Sequence, residues 1–305
     1  MVCTVLKELP QDSLVVLSDG RDVLTNIHQA KSHNQNIHLY SSLAHFRKTF
    51  DGLTDSQGPG AIVVSTEAQC CVTALGHIRP GDLFAEEDGS RNGRACSSGS
   101  PGCVWKGIER AKPWNDFMEQ RADESGNDEL ADIYLNAGLI AGKAKDLITL
   151  IQDLDMQEDE DDQAVLTAFM YRNPGRIALD YEQSMFGNNR WAMGDEEGCM
   201  FDIPSAENED DATPLVGRRL VHFETGQSPL FIHSPGHFVS CHQQLLDKLQ
   251  TQSTNRGLRM LYNDTRSINT VDTPDLSTAE SSSTPENQIY RIAFKQNRAR
   301  NRGRD

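Results

Sequence analysis

Short, continuous apolar runs that end in polar turns are the feature that most restricts the fold of this chain. Residues 14–17 read Leu-Val-Val-Leu before a turn rich in Asp and Gly, and residues 61–65 form a second such run. Strands that read as unbroken apolar runs are typical of parallel sheets buried on both faces. Between the two runs, the spacing of apolar residues over 41–50 predicts a helix. Strand, helix and strand in this order predict a βαβ unit in an α/β fold, with a mostly parallel sheet and helices on its faces.

The same kind of pattern continues toward the C-terminus. It predicts strands over residues 133–142, 177–180 and 230–233, and helices over residues 143–154 and 164–170. Composition predicts a loop over residues 86–103 and disorder from about residue 266, in a Ser/Thr-rich segment whose last part is basic. We therefore expect one domain over residues 1–250 and a disordered tail over residues 251–305.

Charge and composition restrict the possible partners. The 305-residue chain has a formal net charge of -16, which argues against a nucleic-acid-binding surface and implies that an anionic substrate needs a bridging cation. No apolar run is as long as the ~18 residues of a membrane span, and the first residues do not read as a signal peptide. The seven Cys include no CxxC pair, so a thiolate zinc site is not expected, and Cys96 and Cys103 either form a local disulfide or stay reduced.

Acidic and imidazole side chains follow two of the predicted strands and open one predicted helix. Asp19 and Asp22 come just after the first strand, His233 ends the last one, and Asp161 and Asp162 begin a helix. Ligands of open parallel sheets bind at the carboxyl ends of strands, and carboxylates there can hold Mg²⁺ or Mn²⁺. Each feature also has a plain structural explanation: a turn, an acidic helix start that complements the dipole, and a buried histidine.

Several segments together carry a resemblance to a known family. They are LVVLSDGRDVL (14–24), VVSTEAQCC (63–71), YLNAGLIAG (134–142), DEDDQAVL (159–166), ALDYEQSMFG (178–187) and FIHSPG (231–236). In this order they resemble the glycosyltransferase domain of procollagen lysyl hydroxylases, up to about residue 240. The resemblance implies a GT-A, Rossmann-like fold in which the family's first strand-helix unit has no counterpart in this chain.

The resemblance also implies a site and a reaction. The implied site residues are Asp19, Asp22 and His233 as ligands of Mn²⁺ or Mg²⁺, Glu67, Asn136, Gly138 and Gly236 around the UDP-sugar donor, and Asp161 and Asp162 as catalytic carboxylates. A cation neutralises a diphosphate leaving group, and a carboxylate orients or deprotonates an acceptor hydroxyl. We therefore expect a transferase that moves glucose or galactose to a protein (hydroxylysine-type) or glycan acceptor. The compartment is unknown from the sequence itself, and only the family resemblance suggests the endoplasmic reticulum.

Some positions depart from the family pattern. Cys71, Tyr181, Pro235 and Val239 stand where the family has Trp, His, Asn and Lys. The iron-binding pattern of the hydroxylase part is not recognisable, so hydroxylase activity is not expected. Two other interpretations stay open: a catalytically impaired GT-A relative that acts as a binding module, and a metal-dependent phosphoesterase built on the same acidic cluster. The sequence indicates neither the sugar, nor the acceptor, nor the oligomeric state.

Overall fold

The computed structural model describes residues 2–19, 22–26, 35–68, 108–156, 160–189, 199–202, 220–235, 239–254 and 289–294. The helices in these ranges are α1 (Val2–Glu8), α2 (Gln35–Thr54), α3 (Ile108–Glu124), α4 (Ala144–Leu154), α5 (Asp162–Arg172) and α6 (Val239–Thr254). The strands are β1 (Leu14–Asp19), β2 (Val23–Thr25), β3 (Ile62–Glu67), β4 (Tyr134–Lys143), β5 (Ile177–Leu179), β6 (Phe186–Asn188), β7 (Phe201–Asp202), β8 (Val221–His222), β9 (Phe231–His233) and β10 (Ile289–Phe294).

A five-stranded sheet with the order β10-β1-β4-β3-β5 forms the centre of the protein. β1 is parallel to β10 and β3 is parallel to β5, whereas β4 runs antiparallel to both β1 and β3. All strands of this sheet except β4 therefore point the same way. The predicted α/β fold, with a mostly parallel sheet flanked by helices, is confirmed. The strands of the predicted βαβ unit, β1 and β3, are parallel, with β4 inserted between them.

Both faces of the central sheet are buried, which explains the unbroken apolar runs. On one face, Leu17 of β1 and Val64 of β3 pack in a cluster that also contains side chains of α1, α3, α4 and α5. On the other face, Val16 and Val63 pack with Phe46 of α2 and with residues of β6 and β9. Because successive side chains of a strand point to opposite faces, every position of β1 and β3 that meets a core must be apolar.

A smaller sheet with the order β2-β9-β6 lies against the second face. β2 is antiparallel to β9, with Val23 opposite His233, so the strand that follows Asp22 lies directly beside the strand that ends in His233. Leu245 of α6 belongs to the apolar cluster behind this sheet. A disulfide between Cys199 and Cys241 ties the start of α6 to the segment before β7.

Most predicted elements are present with longer or shifted bounds. The helix predicted over residues 41–50 is part of α2, and the strand predicted over residues 133–142 is β4, which is antiparallel to its neighbours. The patterns did not predict α1 or α3. The loop predicted over residues 86–103 lies outside the described residues, and the domain boundary near residue 250 stays a prediction.

The predicted disorder of residues 251–305 is wrong for residues 251–254, which end α6, and for residues 289–294, which form β10. β10 occupies the place beside β1 at the edge of the sheet. Its Ile289 packs against one core and its Ile292 against the other, so pairing and burial stabilise a strand within a polar sequence. Within the described ranges, no helix is long and apolar enough to cross a membrane.

The Asp180 side chain should stabilise the segment between β5 and β6 through its hydrogen bonds. The side chain is 0% exposed and accepts backbone N–H bonds from Ser184, Met185 and Phe186 at 2.9, 2.7 and 2.8 Å. Asp180→Ala leaves these donors without their acceptor, so we expect the free energy of unfolding to fall by about 3 kcal/mol or more. Urea denaturation measures it. The exposed Glu182 is the control, and Glu182→Ala should change stability by less than ~0.5 kcal/mol. Similar losses in both variants would contradict this account.

Candidate metal centre

The three predicted metal ligands lie together where β1 and β9 end. Nε2 of His233 is 3.6 Å from Oδ2 of Asp19 and 3.5 Å from Oδ1 of Asp22. One potential ligand atom from each side chain lies within 4.8 Å of the others, and we call these three residues the metal group. Asp19 is the last residue of β1, Asp22 directly precedes β2, and His233 is the last residue of β9. The pairing of β2 with β9 brings the turn after β1 to the imidazole.

The donor atoms of this group fit a divalent cation. The His233 side chain is 3% exposed, while Asp19 and Asp22 are half-buried and open to solvent on one side. Within the described part of the chain, Oδ1 of Asp22 and Nε2 of His233 are buried and face each other at 3.5 Å as an ion pair, without a hydrogen bond. Buried polar atoms are normally hydrogen-bonded. Two carboxylates and one imidazole are ligands that Mn²⁺ accepts, so a cation between them would satisfy all three groups.

Asn136 sets the orientation of the His233 ring. Its Oδ1 accepts the backbone N–H of Gly138 at 2.9 Å and lies 3.2 Å from Nδ1 of His233. An amide oxygen can only accept, so Nδ1 carries the hydrogen and Nε2 faces the two carboxylates. The sequence placed Asn136 in the donor pocket, and the structure places it behind the imidazole.

Gly138 makes room for the imidazole. The pairing of β3 with β4 changes register between Val64 and Ser65, so β4 bulges between Asn136 and Ile140. A Cβ built on Gly138 would overlap the His233 ring atoms Cε1 and Nδ1. Glycine in a strand often marks a bulge or a close approach, and both are present here.

Electrostatic attraction links the His233 imidazole to the carboxylates of Asp19 and Asp22. Burial lowers the pKa of His233, but the Asp19 and Asp22 carboxylates outweigh burial and raise it to about 9. Burial raises the pKa of Asp22, and the nearby imidazolium of His233 more than compensates, so that its pKa is lowered. In the metal-free protein, His233 is therefore protonated at neutral pH. A cation that binds through Nε2 displaces that proton.

The two predicted catalytic carboxylates have different surroundings. Oδ1 of Asp161 accepts the backbone N–H of Ala164 at 3.0 Å and so caps α5, and burial raises the pKa of Asp161 to about 6. The Asp162 residue is exposed overall. Partial burial of its carboxyl group and the negative charge of Asp19 nevertheless raise the pKa of Asp162. Oδ1 of Asp162 likewise accepts a backbone N–H bond, from Gln163 at 2.8 Å, so both carboxylates are hydrogen-bonded at the start of α5.

Glu67 connects the end of β3 with α5. Its Oε1 accepts a hydrogen bond of 2.6 Å from Nε2 of Gln163, and burial raises the pKa of Glu67. Oε1 of Gln163 in turn accepts the N–H of Ala137 in the β4 bulge, at 3.4 Å. Gln163 thus links Glu67 to the β4 bulge, and the place of Glu67 in a donor pocket stays a prediction. The fourth predicted pocket residue, Gly236, lies outside the described residues.

Sequence patterns did not identify two further features near these groups. His242 of α6 contacts the backbone of Asp22, and burial lowers the pKa of His242. Asp132, His222 and Glu224 form another acidic and imidazole group, in which Nε2 of His222 is 4.0 Å from Oδ2 of Asp132. None of these residues belongs to a recognisable motif, because residues far apart in the sequence come together only in the folded chain.

Comparisons with known proteins leave the family open. No family model matches the chain, and no curated protein matches it. Among solved structures, the apo form of mouse xyloside xylosyltransferase 1 is similar to it with 10% sequence identity and a TM-score of 0.30, over 78% of this chain and 63% of that chain. The chain thus spans less than two thirds of that protein. A match this distant assigns no donor, acceptor or family. The resemblance to the procollagen lysyl hydroxylase domain rests on the sequence motifs alone.

Binding of Mn²⁺ should stabilise the folded protein. A ligand that binds only the native state raises the unfolding temperature, by about 5–10 °C at a concentration of ~100 times its Kd. We expect this shift in the wild type and its loss in the double variant Asp19→Ala, Asp22→Ala, measured by differential scanning calorimetry. The control, Asp51→Ala with Asp55→Ala, removes two exposed carboxylates from the end of α2 and should keep the shift. An unchanged unfolding temperature of the wild type at millimolar Mn²⁺ would exclude the site.

Gly138→Ala should weaken Mn²⁺ binding without removing any ligand. The added Cβ would overlap the His233 ring, which has to move away from Asp19 and Asp22. We expect the Kd for Mn²⁺, measured by titration calorimetry, to rise by about tenfold or more, as for other changes behind metal ligands. A Cβ at Gly52 of α2 meets nothing within 4 Å, so Gly52→Ala should leave the Kd unchanged. Equal Kd values for wild type and Gly138→Ala would show that His233 is not a ligand.

Proposed function

We propose that this chain is a metal-dependent glycosyltransferase that transfers glucose or galactose from a UDP-sugar to a hydroxyl group of a hydroxylysine-type or glycan acceptor. The observation that carries the proposal is the convergence of Asp19, Asp22 and His233 where β1 and β9 end. The motif resemblance supplies the donor class and the reaction, since geometry alone does not distinguish sugars.

The metal ligands would bind the donor through its diphosphate. A net charge of -16 and the carboxylates of Asp19 and Asp22 repel a bare diphosphate. Mn²⁺ or Mg²⁺ held by these residues would bridge protein and donor and stabilise the departing UDP. Asn136 holds the tautomer of His233 that exposes Nε2, and Gly138 lets the ring lie flat against β4. The uncharged Gln163 keeps the buried Glu67 in place through its hydrogen bond.

Asp162 is the better candidate for the group that serves the acceptor. Burial and the negative charge of Asp19 raise its pKa, which makes its carboxylate a stronger base toward an acceptor hydroxyl. Its proximity to Asp19 would put that hydroxyl next to the metal-bound donor. Oδ1 of each carboxylate accepts a backbone N–H bond, from Ala164 for Asp161 and from Gln163 for Asp162, so the preference for Asp162 rests on its electrostatic interaction with Asp19.

A catalytically impaired relative that binds a sugar nucleotide or a glycan is the second candidate. The backbone hydrogen bonds to Asp161 and Asp162 favour it, since both expected catalytic carboxylates already accept N–H groups of α5. In that case, the metal centre would bind donor without turnover.

The disulfide between Cys199 and Cys241 supports a place in the secretory pathway. Structural disulfides persist in oxidising compartments and are rare in the cytosol. This agrees with the endoplasmic reticulum suggested by the family resemblance. Alkylation of the folded protein before and after reduction would show whether these two thiols are blocked.

Asp162→Asn should separate catalysis from donor binding. We expect the rate of UDP release from UDP-glucose or UDP-galactose to fall by about 10² or more, while affinity for UDP and Mn²⁺ is retained. Asp161→Asn is the matched control because Asn caps a helix about as well as Asp, so turnover should change little.

The outcomes of this experiment distinguish the candidates. Loss of UDP affinity in Asp162→Asn would place that carboxylate on the donor instead of the acceptor. Turnover that falls in Asp161→Asn but not in Asp162→Asn would exchange their roles. A wild type that binds UDP and Mn²⁺ but releases no UDP from either sugar would favour the impaired relative.

A further inference from the structure

Arg291 of β10 reaches across the second face of the central sheet to the turn that holds the metal ligands. β10 pairs in parallel with β1, and Arg291 lies opposite Val16. The guanidinium donates from Nε to Oγ of Ser18 at 3.0 Å, from Nη2 to the backbone O of Val23 at 3.2 Å, and from Nη1 to Oγ1 of Thr25 at 3.3 Å.

These acceptors flank the two carboxylate ligands in the chain. Ser18 directly precedes Asp19, and Val23 directly follows Asp22. The guanidinium thus bonds residues on either side of the segment that begins with Asp19 and ends with Asp22. Since Ser18 is fully buried, its hydroxyl is a fixed point of attachment in the sheet.

The same guanidinium also contacts the strand that carries the imidazole ligand. Its Cζ lies 5.7 Å from the centre of the Phe231 ring, and Phe231 begins the strand that His233 ends. One side chain therefore touches all three segments that supply ligands: the end of β1, the start of β2, and β9. The planar, multi-donor guanidinium suits this contact because it can bond several acceptors and stack on a ring at once.

We propose that Arg291 is a positioning residue of the metal centre and that β10 holds this centre together. This inference rests on the proposed metal-dependent function. Arg291 need not touch the cation. Arg291 fixes the backbone on either side of Asp19 and Asp22 against β9. The two carboxylates therefore lose less conformational entropy when they bind the cation. Residues behind metal ligands typically change metal affinity by about 10–100-fold when mutated.

The direction in which replacing Arg291 changes the Kd for Mn²⁺ distinguishes a positioning role from an effect of its charge. Arg291 is a cation near a cation site, so its charge alone opposes metal binding. If Arg291 acted only through its charge, replacement by a neutral residue would strengthen Mn²⁺ binding. If it positions the ligands, the same replacement weakens binding although it removes electrostatic repulsion.

The experiment compares three variants of the full chain. Arg291→Gln removes the charge and most of the hydrogen bonds, and Arg291→Lys keeps the charge but cannot bond the same acceptors together. Ile292→Ala is the control on the same strand, because the Ile292 side chain packs on the opposite face of the sheet from Arg291. The Kd for Mn²⁺ is measured by electron paramagnetic resonance of free Mn²⁺, and the unfolding temperature is measured without metal.

We expect Arg291→Gln to raise the Kd about tenfold and Arg291→Lys to raise it less, since the lysine can restore one hydrogen bond. Ile292→Ala should lower the unfolding temperature of the metal-free protein and leave the Kd within about twofold of the wild type. An unchanged or lower Kd in Arg291→Gln would overturn the inference. An equally large rise of the Kd in Ile292→Ala would also overturn it, because loss of β10 packing against the sheet would then explain both results. A wild type that binds no Mn²⁺ would instead overturn the metal centre itself.

Discussion

The contact of the buried His233 imidazole with two carboxylates is the interaction on which the proposed chemistry depends. The ring lies against a glycine, and its Nδ1 faces an amide oxygen. Nε2 faces Asp19 and Asp22, whose negative charges raise the pKa of the imidazole to about 9. A polar group this deep in the protein is expensive unless it is paired. The carboxylates provide that pairing in the absence of metal, and the same atoms form a ligand set when the proton is replaced by a cation.

The central sheet delivers these groups to one place. β1 carries Asp19 at its end, while the antiparallel β4 carries Asn136 and the bulge at Gly138 beside it. The smaller sheet then holds β2 and β9 side by side, which brings His233 to the turn after β1. The site therefore depends on two sheets packed through one apolar cluster, and a change in that packing would separate the ligands without altering any of them.

Several parts of this arrangement were predictable. The residues of the apolar run before Asp19 contribute to the apolar clusters on both faces of the sheet, so the strand and its burial follow from the residue pattern. The helical spacing of α4 and the capping of α5 by Asp161 likewise follow from local rules. Asp19, Asp22 and His233 were identifiable as a set because each stands at the end of an apolar run. β10 was not predictable, since six residues in a polar, Ser/Thr-rich region give too weak a local signal.

The sequence by itself determined the α/β class, the strands that end in candidate metal ligands and the chemical types of those side chains, because these depend on periodicity and on neighbours in the chain. Only the tertiary structure decided that β4 runs antiparallel, that Asn136 lies behind the His233 imidazole, and that Arg291 bonds residues on either side of Asp19 and Asp22. These outcomes depend on contacts between residues distant in sequence. Their energies arise from packing and hydrogen bonds that form only when the two sheets and the edge strand have come together.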